Sequence, residues 1–318
     1  MAKKITLNKS GEISLKEGYL RFIQQKRAMN VAPDTIDYYD MCYKYFTDYL
    51  DEQTLCSEIN SETAIDYILY LRQSREKISD TTVNTYLRGV RAIFYYLMEK
   101  GNIPAFKAKL IRAEKKIKET YTDDELNRLL KKPDLKRDTF AVYRNWVIVC
   151  YLLGTGNRAR TVCNLKIGDI DFGTHEIRLK KVKNKKQYII PLSKTLEKSL
   201  REYLEYRQGE PDDCLFCNAY GQPMTQEGLA SAIYYFNTSR GVAKYSIHLF
   251  RHTFAKKWIL NRGDIFRLQQ VLGHSSIEIV KEYVNMYGHD LRQGFDEFNP
   301  LDNMSVEVNR QKIDMKRK

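Results

Sequence analysis

From Ser14 to about Ile103 the apolar residues recur at helical spacing with no alternating stretch among them, so the first third of this chain can fold only as packed helices. In "APDTIDYYDMCYKYFTDYLDE", Pro33 and Asp34 supply a helix start, and Tyr39, Cys42, Phe46 and Leu50 follow at three- and four-residue steps. "SDTTVNTYLRGVRAIFYYLMEKGNIP" repeats the pattern through Val83, Tyr86, Leu87, Val90, Phe94 and Leu97, then stops at Gly101 with Pro104 beyond. Shorter helices at about 14–28 and 61–75 complete a four-helix unit. A basic, glycine-free run, Lys107 to Thr120, reads as a linker. A second unit opens at "YTDDELNRLL", where Thr122 and Glu125 form a capping box, and continues into the apolar helix "AVYRNWVIVCYLLGTG". Between Ile170 and Leu192 the sequence alternates and turns like a small antiparallel sheet. Helices resume at Leu196–Arg207, Gln226–Asn237, Arg251–Asn261 and Ile265–Leu272, and the last ten residues form a polar tail. The expected fold class is therefore mainly α with one small sheet.

A length of 318 residues suits two domains, each with its own core. The balance of 53 Lys and Arg against 40 Asp and Glu leaves a net charge of +13, which points first to a polyanionic partner, most often nucleic acid. A merely basic enzyme of other function is the blander reading of the same charge. No apolar run approaches the roughly 18 residues that span a bilayer, and the N-terminal "MAKKITLNKSGEI" lacks the apolar core of a signal peptide. The expected location is the cytoplasm. Of six cysteines, only Cys214 and Cys217 form a C-x-x-C pair, in "DDCLFCNAYG". A zinc knuckle needs a second pair and a thioredoxin-like motif needs a parallel-strand unit before it, so a strand with its two cysteines flanking Leu215 and Phe216 is the better reading.

Five residues, "HLFRH" at 248–252, concentrate two of the five histidines around an arginine. The spacing of His248 and His252 would put both rings on one helix face, as a zinc-binding helix needs, but Leu249 stands where the zinc proteases carry a glutamate base. Arg251 repels a metal and recognises phosphate or carboxylate. Taken in chain order, Arg158 after "LLGTGN", Lys183 among the sheet lysines, His248, Arg251, His274 in "VLGHSS" and Tyr283 in "VKEYVNMY" make a set without a carboxylate pair. Such a set suits a phosphodiester: guanidinium forks neutralise the oxygens that gain charge, imidazole and ammonium move protons, and tyrosine can form a covalent ester. No metal or other cofactor is called for.

"TGNR", "HLFRH", "LGHSS" and a tyrosine nine residues after the last of these histidines resemble the tyrosine recombinases, the phage-integrase family, over essentially the whole chain. "APDTIDYY" with "TTVNTYLRGVRAIFYYL" is similar to that family's helical core-binding domain. The resemblance implies a core-binding domain over residues 1–106, a linker over 107–120, a catalytic domain over 121–300 with a three-stranded antiparallel sheet, and a tail over 301–318. The two domains would close on duplex DNA as a clamp. By position, Arg158 would be the first clamping arginine, His248 and Arg251 the H-x-x-R pair, His274 the histidine of the LGH motif, and Tyr283 the nucleophile. Lys183 lies eight residues before Pro191 of "IIPL", the family's spacing for the turn lysine, with Lys185 and Lys186 as close alternatives. His248 would accept the tyrosine's proton, Lys183 would protonate the leaving 5′-oxygen, and His252 would pack or support.

The chain departs from the common G-x-R-x-x-E pattern at Thr161, and Asn157 and Arg160 replace residues that are usually apolar or small. Tyr287, one turn beyond Tyr283, is the competing nucleophile; His175 and His289 read as surface residues. Leu291, Phe295 and Phe298 give the end of the chain an apolar face. Such a segment either packs on its own domain or, as the resemblance implies, docks on a neighbouring subunit to build a homo-tetramer on two DNA duplexes. Only about 13 residues precede the first helix, which leaves little room for a separate arm-site domain. Two roles follow: integration and excision of a mobile element, with an excision factor as a further partner, or Xer-type resolution of chromosomes. The absent acidic residue and basic tail favour the mobile element. A catalytically inactive DNA-binding relative and a type IB topoisomerase are the rivals, disfavoured by the complete residue set and by the short first domain.

Overall fold

The computed structural model describes residues 12–114, 119–180, 187–273, 277, 280, 281, 283 and 284. The chain divides into two compact units, residues 1–116 and 117–318.

In the first unit four helices, α1 (Leu15–Ala28), α2 (Pro33–Thr47), α3 (Ser61–Ser74) and α4 (Asp80–Glu99), appear where the periodicity puts them. Side-chain caps set three of their starts: Ser14 accepts from the Glu17 amide, Ser79 from Thr82, and Asn60 from Glu62 and Thr63. The longest helix, α4, turns Val83, Leu87, Val90, Phe94 and Leu97 inward, all buried against Phe22, Phe46 and Tyr67. Phe46 meets both Tyr67 and Phe94 edge-on, at ring separations of 5.0 and 5.4 Å. Gly89 lets α4 approach α2 closely: a Cβ there would lie 2.4 Å from the Cys42 sulfur. Residues 106–111, at the start of the stretch read as linker, pack on this core. Ala108 is buried, and the Asn84 side chain exchanges two hydrogen bonds with the backbone of Ile111, at 2.9 and 3.0 Å.

The second unit is built around α6 (Phe140–Thr155), which is mostly apolar because helices surround it; its buried Arg144 is satisfied by Asn145 Oδ1 and the Cys217 carbonyl. Around it stand α5 (Asp123–Leu130), the short α7 (Ala159–Cys163), α8 (Lys194–Arg207), α9 (Gln226–Ser239), α10 (Ile247–Leu260) and α11 (Ile265–Leu272). The capping box of Thr122 and Glu125 opens α5 as read from the sequence. Three antiparallel strands, β1 (Ile170–Asp171), β2 (Glu176–Lys180) and β3 (Gln187–Pro191), pair in the order β1-β2-β3, with Ile177 opposite Ile170 and Ile190. Ile177, Leu179, Ile190 and Leu192 face the core while Ile189 is exposed, the two-residue alternation of a one-sided sheet.

Two expectations need correction. Residues 214–217 do not form a strand: Cys214 and Cys217 each make only an isolated bridge, to Lys166 and Pro223, while Leu215 and Phe216 bury as anchors. The helix expected from Arg251 begins four residues earlier, at Ile247, which places all of "HLFRH" in its first turns. All cysteines are free thiols. Among the described residues no helix is long and apolar enough to cross a membrane.

Candidate active site

The site grows from the end of α6. Gly156 caps that helix in the left-handed conformation at φ 62°, and its amide donates to the Leu152 carbonyl over 2.9 Å. The following residue, Asn157, is buried. Its Nδ2 donates to the fully buried Tyr151 hydroxyl over 2.8 Å, and its amide donates to Thr155 Oγ1 over 3.3 Å. Polar Asn157, a departure in the sequence, thus satisfies a buried phenol and ties down the turn that carries Arg158. Arg158 caps α7 in an extended conformation with its side chain exposed. Among the described residues no carboxylate holds its guanidinium, consistent with Thr161 standing where an acid is usual. Arg160 is exposed beside it.

Helix α10 supplies the facing wall. Its first turns bring His248, Arg251 and His252 onto one side, at the i, i+3 and i+4 spacing. Arg251 is 4% exposed, and its fork is held by two helix-end carbonyls: Nη1 donates to Gly156 O and Nη2 to Leu272 O, both at 2.8 Å. Both acceptors are orphan carbonyls where α6 and α11 end, so one guanidinium joins three helices. Burial above all pulls the Arg251 guanidinium down to about 10, with the nearby Arg158 cation adding to the shift and Tyr283 and Tyr188 opposing it. It still carries its charge at neutral pH. His248, exposed at the start of the helix, is also held below the ordinary imidazole value, first by desolvation and then by the Arg251 and Arg158 cations. Its ring is therefore neutral at pH 7.

Tyr283 packs with Ala255, Leu268, Leu272 and Val280 and is only 2% exposed. Its hydroxyl lies 2.7 Å from His252 Nδ1, and the two rings are 5.6 Å apart. The Arg251 guanidinium also donates a hydrogen bond to the Tyr283 oxygen, so phenol, imidazole and guanidinium meet. The imidazole that reaches the phenol is therefore that of His252, four residues past the His248 expected from the sequence. Spacing alone put His252 on this face; nothing in the sequence showed that Tyr283 would reach it. Tyr188 of β3 is a second addition. Its hydroxyl donates toward Asn157 Oδ1 at 3.4 Å, and a Cβ on Gly273 would lie 3.1 Å from its ring. Nothing in the sequence singled it out.

Lys183 and His274 lie outside the described residues, as do Tyr287, His289, Leu291, Phe295 and Phe298. His175 is exposed and pairs with Glu197 at 2.7 Å, a surface role as read. Among the described residues no three His, Cys, Asp or Glu side chains gather where a metal ion could be held.

A buried arginine with a second arginine near it, beside a tyrosine hydrogen-bonded to an imidazole, is a set of groups suited to phosphodiester chemistry, and the comparisons identify the family. Residues 15–117 match the SAM-like domain of the phage integrases, and residues 119–289 match the phage integrase family itself. The chain belongs to the phage integrase family of tyrosine recombinases. It is accordingly a site-specific recombinase that cuts and rejoins double-stranded DNA. The tyrosine recombinase XerD of Listeria monocytogenes serotype 4b (strain F2365) is 26% identical over 295 residues, covering 89% of this chain and 98% of the relative. Among solved structures, the XerH site-specific recombinase in a post-cleavage complex with its palindromic difH substrate superposes with a TM-score of 0.69 at 22% identity. That match covers 91% of this chain and 90% of XerH. The Tn1549 transposon integrase (residues 82–397 of that protein) in complex with circular intermediate DNA also reaches 0.69, at 19% identity, over 90% of this chain and 98% of the chain in that complex.

Proposed function

We propose that Tyr283 is the nucleophile of this recombinase, and that the protein integrates and excises a mobile genetic element. The observation that carries the first part is the placement of the Tyr283 hydroxyl, 2.7 Å from His252 and beside the anchored Arg251. Attack on the scissile phosphate yields a 3′-phosphotyrosyl ester and a free 5′-hydroxyl; the ester keeps the energy of the broken bond for rejoining. Arg251 and the exposed Arg158 neutralise the oxygens that gain charge. His248, neutral and beside both arginines, and His274 hydrogen-bond the phosphate, and Lys183 gives its proton to the leaving 5′-oxygen. The test is a suicide DNA site, from which the cut 5′ strand diffuses away. Wild type forms an adduct that survives denaturing gels and Tyr283→Phe forms none while still binding. An adduct that survives Tyr283→Phe and disappears in Tyr287→Phe moves the nucleophile one turn.

The mobile-element reading is supported by Thr161 and by the exposed Arg158, which no carboxylate among the described residues holds. Amplifying host DNA across a predicted excision junction tests it: a circular junction is expected, whereas recombination confined to a fixed chromosomal site supports the Xer-type alternative. The working assembly is a homo-tetramer on two duplexes, with the segment of Leu291, Phe295 and Phe298 docking on a neighbour. An apolar groove of about 280 Å³ between α5, α6 and α10, lined by Leu126, Leu153, Phe254 and Trp258, is an acceptor of suitable chemistry. Removing residues 288–318 should leave single-site binding and abolish the slower-migrating assembly in native gels.

A further inference from the structure

We propose that His252, the second histidine of "HLFRH", is the catalytic base that takes the proton of Tyr283, in place of His248. The inference deepens the reading above and rests on it.

A neutral phenol is a poor nucleophile, because a reference pKa near ~10 leaves about one part in a thousand ionised at neutral pH. Some group must therefore receive the proton as the bond to phosphorus forms. The candidate has to touch the phenolic oxygen, and His252 does so through Nδ1 at 2.7 Å. His248 lies beside Arg251 and Arg158 but forms no hydrogen bond to the phenol. The rigidity of the pair supports the assignment. Tyr283 is 2% exposed and wedged against Ala255 and Leu268, while Thr253 beside His252 is fully buried and accepts a 2.9 Å hydrogen bond from the Tyr121 amide. Helix α10 thus holds the imidazole where its neutral form can accept a proton. Among the described residues, Arg251 on the same helix is the charged group that contacts Tyr283, and Arg158 and Tyr188 of β3 lie near Arg251 in turn. Arg251, whose guanidinium donates to the Tyr283 oxygen, stands ready to accept negative charge that develops there as the proton leaves.

The step balances. The Tyr283 O–H bond breaks, its proton joins the lone pair on Nδ1, and His252 becomes an imidazolium with its second proton on Nε2. The freed oxygen pair forms the O–P bond while the P–O5′ bond breaks, and the departing oxygen takes a proton from Lys183, the acid proposed above, to become a 5′-hydroxyl. In rejoining, the 5′-hydroxyl gives its proton to the now neutral Lys183 amine as it attacks, the tyrosyl–phosphate bond breaks and the imidazolium returns its proton to the phenolate.

Asparagine places its side-chain oxygen where Nδ1 of histidine sits, so it can keep the hydrogen bond but cannot take a proton at neutral pH. The full-length protein is tested on a suicide duplex whose scissile 5′-oxygen is replaced by sulfur, a leaving group that needs no acid. The rate of covalent adduct formation then reports attack alone. At neutral pH, His252→Asn should slow adduct formation by about 10²-fold or more. Its rate should climb toward the phenol's own range near ~10, and DNA binding should not change. His252→Gly should be partly rescued by added imidazole. His248→Asn should lower the rate yet keep the wild-type acid limb. The inference is overturned if His252→Asn restores the wild-type rate and profile, which would make the contact one of position only, or if the acid limb disappears with His248→Asn instead. If Tyr283→Phe still forms the adduct, the reading of the nucleophile fails and this inference fails with it.

Discussion

Replacing Gly156 with alanine strikes the joint that holds Arg251, the arginine proposed to clamp the phosphate. Two costs can be worked from the structure. The backbone at φ 62° is a left-handed conformation that costs an L side chain about 1–2 kcal/mol. The new Cβ would also lie 2.7 Å from Leu272 Cδ2 and 2.9 Å from Phe254 Cδ1, inside contact distance, and such overpacking costs about 1–3 kcal/mol. The sum is about 2–5 kcal/mol. Gly221, in the same unit, is the control, because it has a similar φ of 77° and nothing within 4 Å of its Cβ, so Gly221→Ala carries only the first cost. Both tryptophans, Trp146 and Trp258, lie in the second unit, so tryptophan fluorescence during urea unfolding reads that unit alone. The destabilisation should come with loss of cleavage. The Gly156 and Leu272 carbonyls hold the two arms of Arg251 at 2.8 Å, and a misplacement of about 1 Å costs on the order of 10²-fold in rate. The reasoning is refuted if Gly156→Ala unfolds at the same midpoint as Gly221→Ala and forms the covalent adduct at the wild-type rate.

The two arginines should respond differently to lysine. Arg158→Lys keeps a charge at an exposed position and should lose about tenfold in adduct formation, whereas Arg251→Lys leaves a buried carbonyl without a donor and should lose about 10²–10³-fold and lower the urea midpoint. Equal losses in both variants would show that the buried fork has no special part. The depressed His248 pKa sets a sign for stability. The unfolded ring binds a proton near pH ~6.5 while the folded one still resists, so stability falls as pH drops through that range. His248→Asn should flatten this slope in pH-dependent urea unfolding; an unchanged slope assigns it elsewhere. Strand exchange should run to completion in EDTA without ATP and weaken only with added salt. Activity abolished by the chelator and restored by zinc would instead support a metal site in "HLFRH".

Much of this protein is legible in one dimension because its information is local. Apolar spacing specified α1 to α4, Pro33 and the capping box of Thr122 and Glu125 marked starts, and Gly101 marked the stop of α4, each needing only neighbours within a turn. The spacing of Arg158, His248, Arg251 and Tyr283 was equally readable, because a phosphodiester reaction draws on few residue types and the family keeps their order. Cys214 to Cys217 misled because burial and alternation look the same in an anchored loop and a strand, and only the pairing partners separate them. The functional contacts are the least local. Arg251 reaches Gly156 across 95 positions and Leu272 across 21, and His252 meets Tyr283 across 31. Which histidine touches the phenol depends on how α10 rotates and where the segment around Tyr283 packs after α11. Side-chain packing among Ala255, Leu268, Leu272 and Val280 decides that, and two histidines one turn apart cannot be told apart until the tertiary structure closes around them.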